Sequence, residues 1–305
     1  MFFGTPALAV PSLEALLASG FDVVAVVTNP DRVAGRGLRA TQSPVKSVAM
    51  DVGVEVMQPE RIRSDDFRTR LEDLSPDICC VVAYGKILPP SLLEVPALGF
   101  VNAHFSVLPA YRGAAPVQWA LINGEKMTGV SIMVLSEGMD EGPLLASVAV
   151  PILDSDSAAT LGPRLATLAG PLLVRTITDY GKGILEPRPQ PGEGVSYAPK
   201  LEAHDARIDW TRDADVIRNL VRGANPEPGA WTTFHGKRLK IFEAELFRMP
   251  LPSPSGSLQL TSEGLMVACG EGALTILSAQ IEGKRRLSGA ELGRGLRLEE
   301  GDRLE

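Results

Sequence analysis

Ile78-Cys79-Cys80-Val81-Val82-Ala83 (ICCVVA) is a continuous apolar stretch with no charged residue to place on a solvent-facing side. Such a run is typical of a central strand in a parallel sheet, because that strand is covered on both faces. We interpret Cys79 and Cys80 as small core side chains rather than as metal ligands or redox groups. Cys269 has the same interpretation.

On either side of this stretch, strand and helix patterns alternate, which predicts a doubly wound, mostly parallel α/β sheet. Asp65–Leu74 has the pattern of a polar helix with Ser64 as its N-cap. The apolar and charged periodicity predicts further strands at 22–28, 54–57, 100–104 and 128–134, helices at 11–18, 116–123 and 157–180, and an irregular loop at 29–43.

The pattern changes after residues 183–199 (GILEPRPQPGEGVSYAP), whose Pro and Gly content is typical of a linker. Beyond it the sequence predicts one helix at 216–222 and then short strands at 231–234, 239–247, 256–260, 265–268 and 274–280. Closely spaced short strands of this kind are typical of a small antiparallel barrel. We therefore predict a first domain at 1–182, a linker at 183–203 and a C-terminal domain at 204–305.

The composition of the chain excludes several classes of protein and kinds of site. The net charge of −7 argues against a protein that coats nucleic acid through bulk charge, but it does not exclude a local basic face in the C-terminal third of the chain. Three cysteines exclude a disulfide framework and favour a reducing cytoplasm. We expect neither a transmembrane helix nor a signal peptide, and no metal site, since His204 and His235 have no second ligand at a suitable spacing.

Two strand ends carry polar residues that suit acyl chemistry. Asn102 and His104 are two positions apart, so on a strand they face the same side, and Asp140 follows the next predicted strand. An amide can stabilise an oxyanion, an imidazole can move a proton, and a carboxylate can orient the imidazole. Because no Ser or Cys nucleophile accompanies this His, direct transfer to an amine is favoured; a purely structural His stays open from these residues alone.

Ordered motifs extend from this region over nearly the whole chain. They are Gly4-Thr5-Pro6, Asn29-Pro30-Asp31-Arg32, Tyr84-Gly85, Asn102-Ala103-His104, Ser106-Val107-Leu108-Pro109, Gly138-Met139-Asp140-Glu141-Gly142, Tyr197-Ala198-Pro199-Lys200 and Asn225-Pro226. In this order the sequence resembles the 10-formyltetrahydrofolate-dependent formyltransferases.

The resemblance implies a Rossmann-like formyl-transfer domain followed by an OB-like barrel. It also implies transfer of a formyl group from 10-formyltetrahydrofolate to the α-amino group of methionine on initiator tRNA, by direct attack without a covalent enzyme intermediate. The family's catalytic set corresponds to Asn102, His104 and Asp140. Its folate-binding positions correspond to Ser106, Val107, Leu108 and Pro109 in one loop and to Tyr84, Gly85, Ile87 and Leu88 in another.

Two departures from the family pattern affect these expectations. Phe105 stands where the family usually has a small residue, so the shape of the folate pocket is expected to differ. Only Met1-Phe2-Phe3 precede Gly4, where similar proteins carry several residues, so we expect a shortened first strand.

Basic residues are the candidates for tRNA contact. The resemblance implies that the loop at 29–43 contacts the acceptor end of the tRNA. Arg36 corresponds to the arginine that the family carries in this loop, and Arg32 and Arg39 lie near it in the sequence. In the barrel, the basic clusters are Lys237, Arg238 and Lys240, and Lys284, Arg285 and Arg286. OB-like barrels often bind nucleic acid through one face, although a charged run is also compatible with a merely solvated face.

Three other functions compete with formyl transfer to a tRNA. A relative that formylates a nucleotide-sugar or another small amine would need neither the Arg36 loop nor the barrel. A dinucleotide-dependent dehydrogenase would need the glycine fingerprint that this sequence lacks. A non-catalytic tRNA-binding module is the third alternative. We expect a cytoplasmic monomer that binds folate and initiator methionyl-tRNA, without a membrane or metal partner.

Overall fold

In the computed structural model, the apolar stretch at 78–83 forms Cys79–Val82, the middle strand of a seven-stranded sheet. The structure describes residues 1–34, 39–247, 253–261, 264–296, 298–299 and 301–305, with the side chains of 32–34 and 39–40 outside that description. The chain divides into two units. The first contains Met1–Pro116, Met127–Pro151 and Gly162–Pro199, and the second contains Val117–Lys126, Ile152–Leu161 and Lys200–Glu305. The domain boundaries given by the sequence stay a prediction.

The first unit is built on a mostly parallel sheet flanked by helices, as predicted. Its strands are β1 (Phe2–Gly4), β2 (Val26–Val27), β3 (Arg32–Ala34), β4 (Arg39–Thr41), β5 (Val56–Met57), β6 (Cys79–Val82), β7 (Phe100–His104), β8 (Met127–Val134) and β9 (Leu144–Pro151). The large sheet has the order β5-β2-β1-β6-β7-β8-β9. Neighbours from β5 to β7 run parallel, whereas β7, β8 and β9 pair antiparallel.

Helices and short turns connect these strands. They are α1 (Val10–Ala18), α2 (Pro44–Asp51), α3 (Asp65–Leu74), α4 (Pro90–Leu93), α5 (Pro116–Ile122) and α6 (Ala158–Gly181). Of these, α5 after Pro116 and the start of α6, up to Leu161, are counted with the second unit. The predicted cap of α3 is confirmed, since the Ser64 side chain accepts a hydrogen bond from the Phe67 amide at 3.3 Å. In the described part of the chain no helix, α6 included, has the length and apolar content needed to cross a membrane.

Several predicted bounds were wrong. The strand expected at 22–28 is limited to β2, because its neighbour β1 begins to bond it at Phe2, whose amide donates to Ala25 O at 3.1 Å. The strand expected at 54–57 is likewise limited to β5, next to β2. The region at 29–43 is not wholly irregular, since β3 and β4 within it pair in the antiparallel sense. The sequence also gave no prediction of α2, α4 or β9.

A cluster of buried side chains packs beneath the centre of the large sheet, with Phe3 in its middle. The Phe3 ring makes edge contacts with Phe100 at 5.2 Å, Tyr84 at 5.5 Å and Phe67 at 6.4 Å between ring centroids. Such pairs contribute about 0.5–1.5 kcal/mol each beyond area burial. Through Phe3, β1 is thus packed against the start of β7, the residue that follows β6 by two positions, and α3.

The second unit contains an antiparallel sheet, as predicted. Its elements are α7 (Ala214–Ala224), β10 (Ala230–Phe234), β11 (Lys237–Phe247), β12 (Leu258–Thr261), β13 (Gly264–Ala268), β14 (Ala273–Ile281), β15 (Leu287–Ser288) and α8 (Gly289–Leu296). The strand order is β10-β11-β14-β13-β12, with β15 beside β14. Neither β15 nor α8 was predicted from the sequence.

The last residues of the chain bond to both outer strands of this sheet. Glu305 exchanges backbone hydrogen bonds with Thr233 in β10, at 3.2 and 3.0 Å. Leu304 donates to Gly256 O at 2.9 Å, immediately before β12, where Ser257 and Arg303 form a bridge. Because one segment pairs with both edges, the sheet closes in the manner of a small barrel.

Candidate active site

Asn102 and His104 both belong to β7, which is paired on both sides. Asn102 lies opposite Met133, and His104 lies opposite Ser131, in the antiparallel pairing with β8. Because side chains alternate along a strand, these two residues project from the same face of the sheet. Their spacing is therefore fixed by the backbone, as the sequence predicted.

Asp140 meets both of these side chains. It follows β8 in the loop 135–142, where its carboxylate lies 3.4 Å from Asn102 Nδ2 and 3.6 Å from His104 Nδ1. The backbone amide of Gly113 donates to Asp140 Oδ2 at 2.9 Å. The side chains of His104 and Asp140 are only 6% and 15% exposed, so the pair is largely shielded from water. The three predicted catalytic residues therefore form one constellation.

The other ring nitrogen of His104 faces a backbone carbonyl. Nε2 lies 2.9 Å from Tyr111 O, and a carbonyl oxygen can only accept, so Nε2 carries a proton and donates. In neutral His104 the lone pair is then on Nδ1, on the side of Asp140. Tyr111 has a positive φ of 60°, and the Ser106 hydroxyl donates to Ala110 O at 2.6 Å across the turn before it.

A cavity of about 470 Å³ opens beside this constellation, within the first unit. Its lining includes all three candidate catalytic residues together with four residues predicted to bind folate, namely Tyr84, Gly85, Ile87 and Leu88. Phe105 also contributes to the lining and is 7% exposed. The volume and the mostly apolar wall with a few polar groups are typical of a small-molecule site.

Tyr84 lines this cavity but is itself almost completely buried. Its side chain is 2% exposed, and within the described residues its hydroxyl has no hydrogen-bond partner. Burial raises the pKa of Tyr84 to about 12, since the phenolate cannot be solvated there. The backbone carbonyl of Tyr84 accepts from Asn29 Nδ2 at 2.8 Å, which ties the start of the 29–43 region to the cavity.

The predicted folate loop Ser106-Val107-Leu108-Pro109 is absent from the cavity lining. Ser106 and Leu108 are buried instead. The Ser131 hydroxyl, which lies beneath them, donates to Ser106 O at 2.8 Å and accepts from the Leu108 amide at 3.0 Å. In this arrangement the loop supports the turn that presents Tyr111 O to His104.

The predicted tRNA residues fall into two groups. Arg36 lies outside the described residues, and for Arg32 and Arg39 the backbone is described, in β3 and β4, but not the side chain. The base of this region is fixed by Lys46, whose Nζ lies 2.6 Å from Asp31 Oδ2 and 2.7 Å from Gln58 Oε1. The hydrogen bond from Lys46, followed by one from Gln58, lowers the pKa of Asp31.

The two basic clusters of the C-terminal sheet lie at the same end of adjacent strands. Leu239 pairs with Ile281, and the Glu282 amide donates to Arg238 O at 2.8 Å. The side chains of Lys237, Arg238, Lys284, Arg285 and Arg286 are exposed there.

Some of these cations are already engaged within the unit. Arg286 pairs with Glu243 at 2.9 Å, and Lys240 donates to Pro228 O at 2.7 Å. The Arg238 guanidinium lies 4.2 Å from the centre of the Trp231 ring, in a cation–π contact. The four exposed cations Lys237, Arg238, Lys284 and Arg285 form what we name the basic edge of the second unit.

Sequence reasoning missed three residues that hold Asp140 in place. Gly113 binds the carboxylate, Gln190 donates to the Asp140 carbonyl at 2.8 Å, and Arg112 bonds Gln190 at 2.7 Å. Arg112 and Gly113 follow β7 within ten residues of His104, whereas Gln190 lies in the Pro-rich segment at 183–199 and has no local sequence signal. No group of three or more metal-ligating side chains is gathered in the described part of the chain.

Comparison with known proteins places this arrangement in a family. Residues 1–177 match the model of the formyl transferase family, and residues 200–297 match that of the formyl transferase C-terminal domain. The methionyl-tRNA formyltransferase of Streptomyces coelicolor is 46% identical over 100% of this chain and 98% of its own length. That of Thermobifida fusca is also 46% identical, with the same coverage.

A solved structure supports the fold. The N-formyltransferase of Helicobacter canadensis, determined with folinic acid and dTDP-3-aminofucose, aligns with a TM-score of 0.67 and 20% identity over 92% of this chain and 98% of its own. At that identity the likeness concerns the fold alone. The sequence relatives and family models decide the assignment: this chain belongs to the formyltransferase family, and within it to the methionyl-tRNA formyltransferases.

Proposed function

We propose that this protein transfers the formyl group of 10-formyltetrahydrofolate to the α-amino group of methionyl initiator tRNA, acting as a cytoplasmic monomer. The observation that carries this proposal is the meeting of Asn102, His104 and Asp140 beside one cavity, with Asp140 at 3.4 and 3.6 Å from the other two. An amide, an imidazole and a carboxylate in that arrangement suit acyl transfer to an amine.

The cavity fits a folate donor. Tyr84, Ile87 and Leu88 supply apolar surface for a flat heterocycle, and Gly85, with a positive φ of 77°, turns the chain along the same wall. Ser106–Pro109 support the turn that presents Tyr111 O to His104. When bound, the folate supplies an electrophilic formyl carbon and a nitrogen leaving group.

Asn102 and His104 have separate roles in the transfer. Asn102 Nδ2 donates a hydrogen bond to the formyl oxygen as negative charge develops on it, which favours attack by the amine. The amine releases a proton, and His104 accepts it on Nδ1, because its Nε2 already carries a proton and donates to Tyr111 O. The proton then passes to the folate nitrogen as its bond to the formyl carbon breaks. Because the amine attacks the formyl carbon directly, the formyl group is never bonded to the enzyme.

Asp140 stabilises His104 while it carries the extra proton. Its Oδ2 lies 3.6 Å from Nδ1, where the transferred proton would reside. A carboxylate next to an imidazolium lowers the energy of the charged pair, more so in a shielded site than in water. A Ser or Cys nucleophile is not required by this sequence of steps.

The tRNA is proposed to contact the 29–43 region and the basic edge of the second unit. Arg36 is assigned to the acceptor end, with Arg32 and Arg39 beside it. Lys237, Arg238, Lys284 and Arg285 are assigned to the phosphate backbone, because they are exposed at one end of the C-terminal sheet. Lys240 and Arg286 complete the two clusters and hold neighbouring groups.

The proposal is tested by offering the purified protein formyl-labelled 10-formyltetrahydrofolate with alternative acceptors. We expect label on methionyl initiator tRNA and little on uncharged tRNA, free methionine or a nucleotide-linked amino sugar. Label on the amino sugar instead would support the small-amine relative. Binding of tRNA without turnover would support the non-catalytic module, and either result would overturn the proposal.

A further inference from the structure

The loop that carries Asp140 has an unfavourable backbone that needs external support. Asp140 has a positive φ of 51°, a region that residues with a side chain rarely adopt. At Gly142 a Cβ would lie 1.9 Å from Val134 O, so the loop returns against β8 with no space to spare. Such a loop keeps its shape only if the surroundings impose it.

One side chain binds this loop at both positions. Gln190 Nε2 donates to Asp140 O and to Gly142 O, each at 2.8 Å, so both amide protons are used. Gln190 Oε1 accepts from Arg112 Nη2 at 2.7 Å and from Arg112 Nε at 3.1 Å. The reverse orientation of the amide would place its oxygen against two carbonyls and its NH2 against a guanidinium, so the contacts define the orientation.

Gln190 is itself held by a segment, 188–198, that we name the strap. At one end of the strap Arg188 exchanges backbone hydrogen bonds with Leu144 at 2.7 and 2.8 Å. At the other end Arg112 donates to Ser196 O at 2.9 Å, and the Ala198 amide donates to Arg112 O at 2.7 Å. Arg112 is 8% exposed, so its guanidinium is a fixed point for Gln190.

We propose that Gln190 is a positioning residue for the formyl transfer, which keeps the Asp140 carboxylate in register with His104 and Asn102 by binding the two carbonyls of its loop. The strap, predicted as linker, then belongs to the catalytic apparatus. This inference rests on the role of Asp140 given above. A displacement of about 1 Å at a reacting group can slow a reaction about a hundredfold, so loosening this loop affects turnover more than binding.

Two variants separate the carbonyl contacts from the contact with Arg112. Gln190→Ala removes both and is expected to lower kcat at least tenfold, with each KM changed less than threefold. Gln190→Glu keeps the size and the Arg112 contact but cannot donate to the carbonyls when ionised, so it is expected to lower kcat to a similar extent. Recovery of the original kcat in Gln190→Glu would overturn the inference, because the Arg112 contact would then suffice.

A double-mutant cycle with Asp140→Asn, measured by single-turnover transfer, completes the test. In the Asp140→Asn background we expect Gln190→Ala to cost less than threefold, since no carboxylate remains to be positioned. Independent, multiplying losses would overturn the inference and leave Gln190 a structural residue. If Asp140→Asn keeps full kcat, the proposed function of Asp140 fails instead. Gln259→Ala, an exposed glutamine on β12, is the matched control and is expected to leave kcat unchanged.

Discussion

Tyr84→Phe is expected to stabilise the protein. The change removes a buried hydroxyl that has no partner within the described residues, and such a group costs about 1–3 kcal/mol of desolvation. We therefore expect a gain of about 1 kcal/mol in the free energy of unfolding, or about 2–4 °C in Tm for a unit of this size. Urea denaturation measures the first quantity and thermal denaturation the second.

The pH dependence of stability tests the burial of the Tyr84 hydroxyl independently. Its pKa of about 12 in the fold lies above the value of 10.0 for a free tyrosine, so the folded state holds the proton more tightly. Below pH 10 this group is protonated in the folded and the unfolded protein, so it gives stability no pH dependence there; as the pH rises through 10 toward 12 the unfolded chain ionises first and stability falls. Tyr84→Phe has no ionisable group at this position and is expected to lose less stability over that interval.

The control for this prediction is Tyr197→Phe, since Tyr197 is 65% exposed and its loss of a hydroxyl should change stability by less than about 0.5 kcal/mol. A Tyr84→Phe protein less stable than the original by about 1 kcal/mol would refute the reasoning, because the hydroxyl would then have a partner.

Four further predictions concern the site, the tRNA contacts and the cysteines. His104→Ala should reduce turnover at least about a hundredfold, and a loss below about tenfold would remove His104 from the chemistry. Arg36→Ala should impair use of tRNA while folate binding stays unchanged; equal losses of both would contradict a tRNA role. Lys237→Ala should reduce the slope of log K against log salt for tRNA binding by about 0.7–0.9, and an unchanged slope would place Lys237 away from phosphate. Burial raises the pKa of Cys79 to about 12 and of Cys80 to about 11, so both thiols should resist alkylation at pH 8 until the protein is unfolded; rapid reaction of the folded protein would contradict their burial.

What the sequence predicted well depends on short-range relations along the chain. Asn102 and His104 share a face because side chains alternate, and that holds wherever β7 lies in the sheet. The Ser64 cap of α3 is likewise a contact with an amide three residues away. Strand β6 was recognisable because a strand covered on both faces must be apolar throughout.

What the sequence could not predict depends on partners that are far apart in the chain. The lengths of β2 and β5 are set by where their neighbours offer hydrogen bonds, which residues 22–28 and 54–57 do not encode. Gln190 and Asp140 are separated by 50 positions, and a glutamine among prolines has no periodic pattern to identify it. Such contacts become visible only when the fold brings the segments together.

The location of Asn102 and His104 on a doubly paired strand has a consequence for how this scaffold changes over evolutionary time. The distance between the Asn102 and His104 side chains is set by the pleat of β7, whereas much of the cavity wall belongs to the loops at 83–88 and 135–142. Substitutions and insertions in those loops can therefore reshape the space for an acceptor and leave the reacting pair untouched. Diversification of substrates and preservation of chemistry are thereby assigned to different parts of the same unit, the loops and the strand.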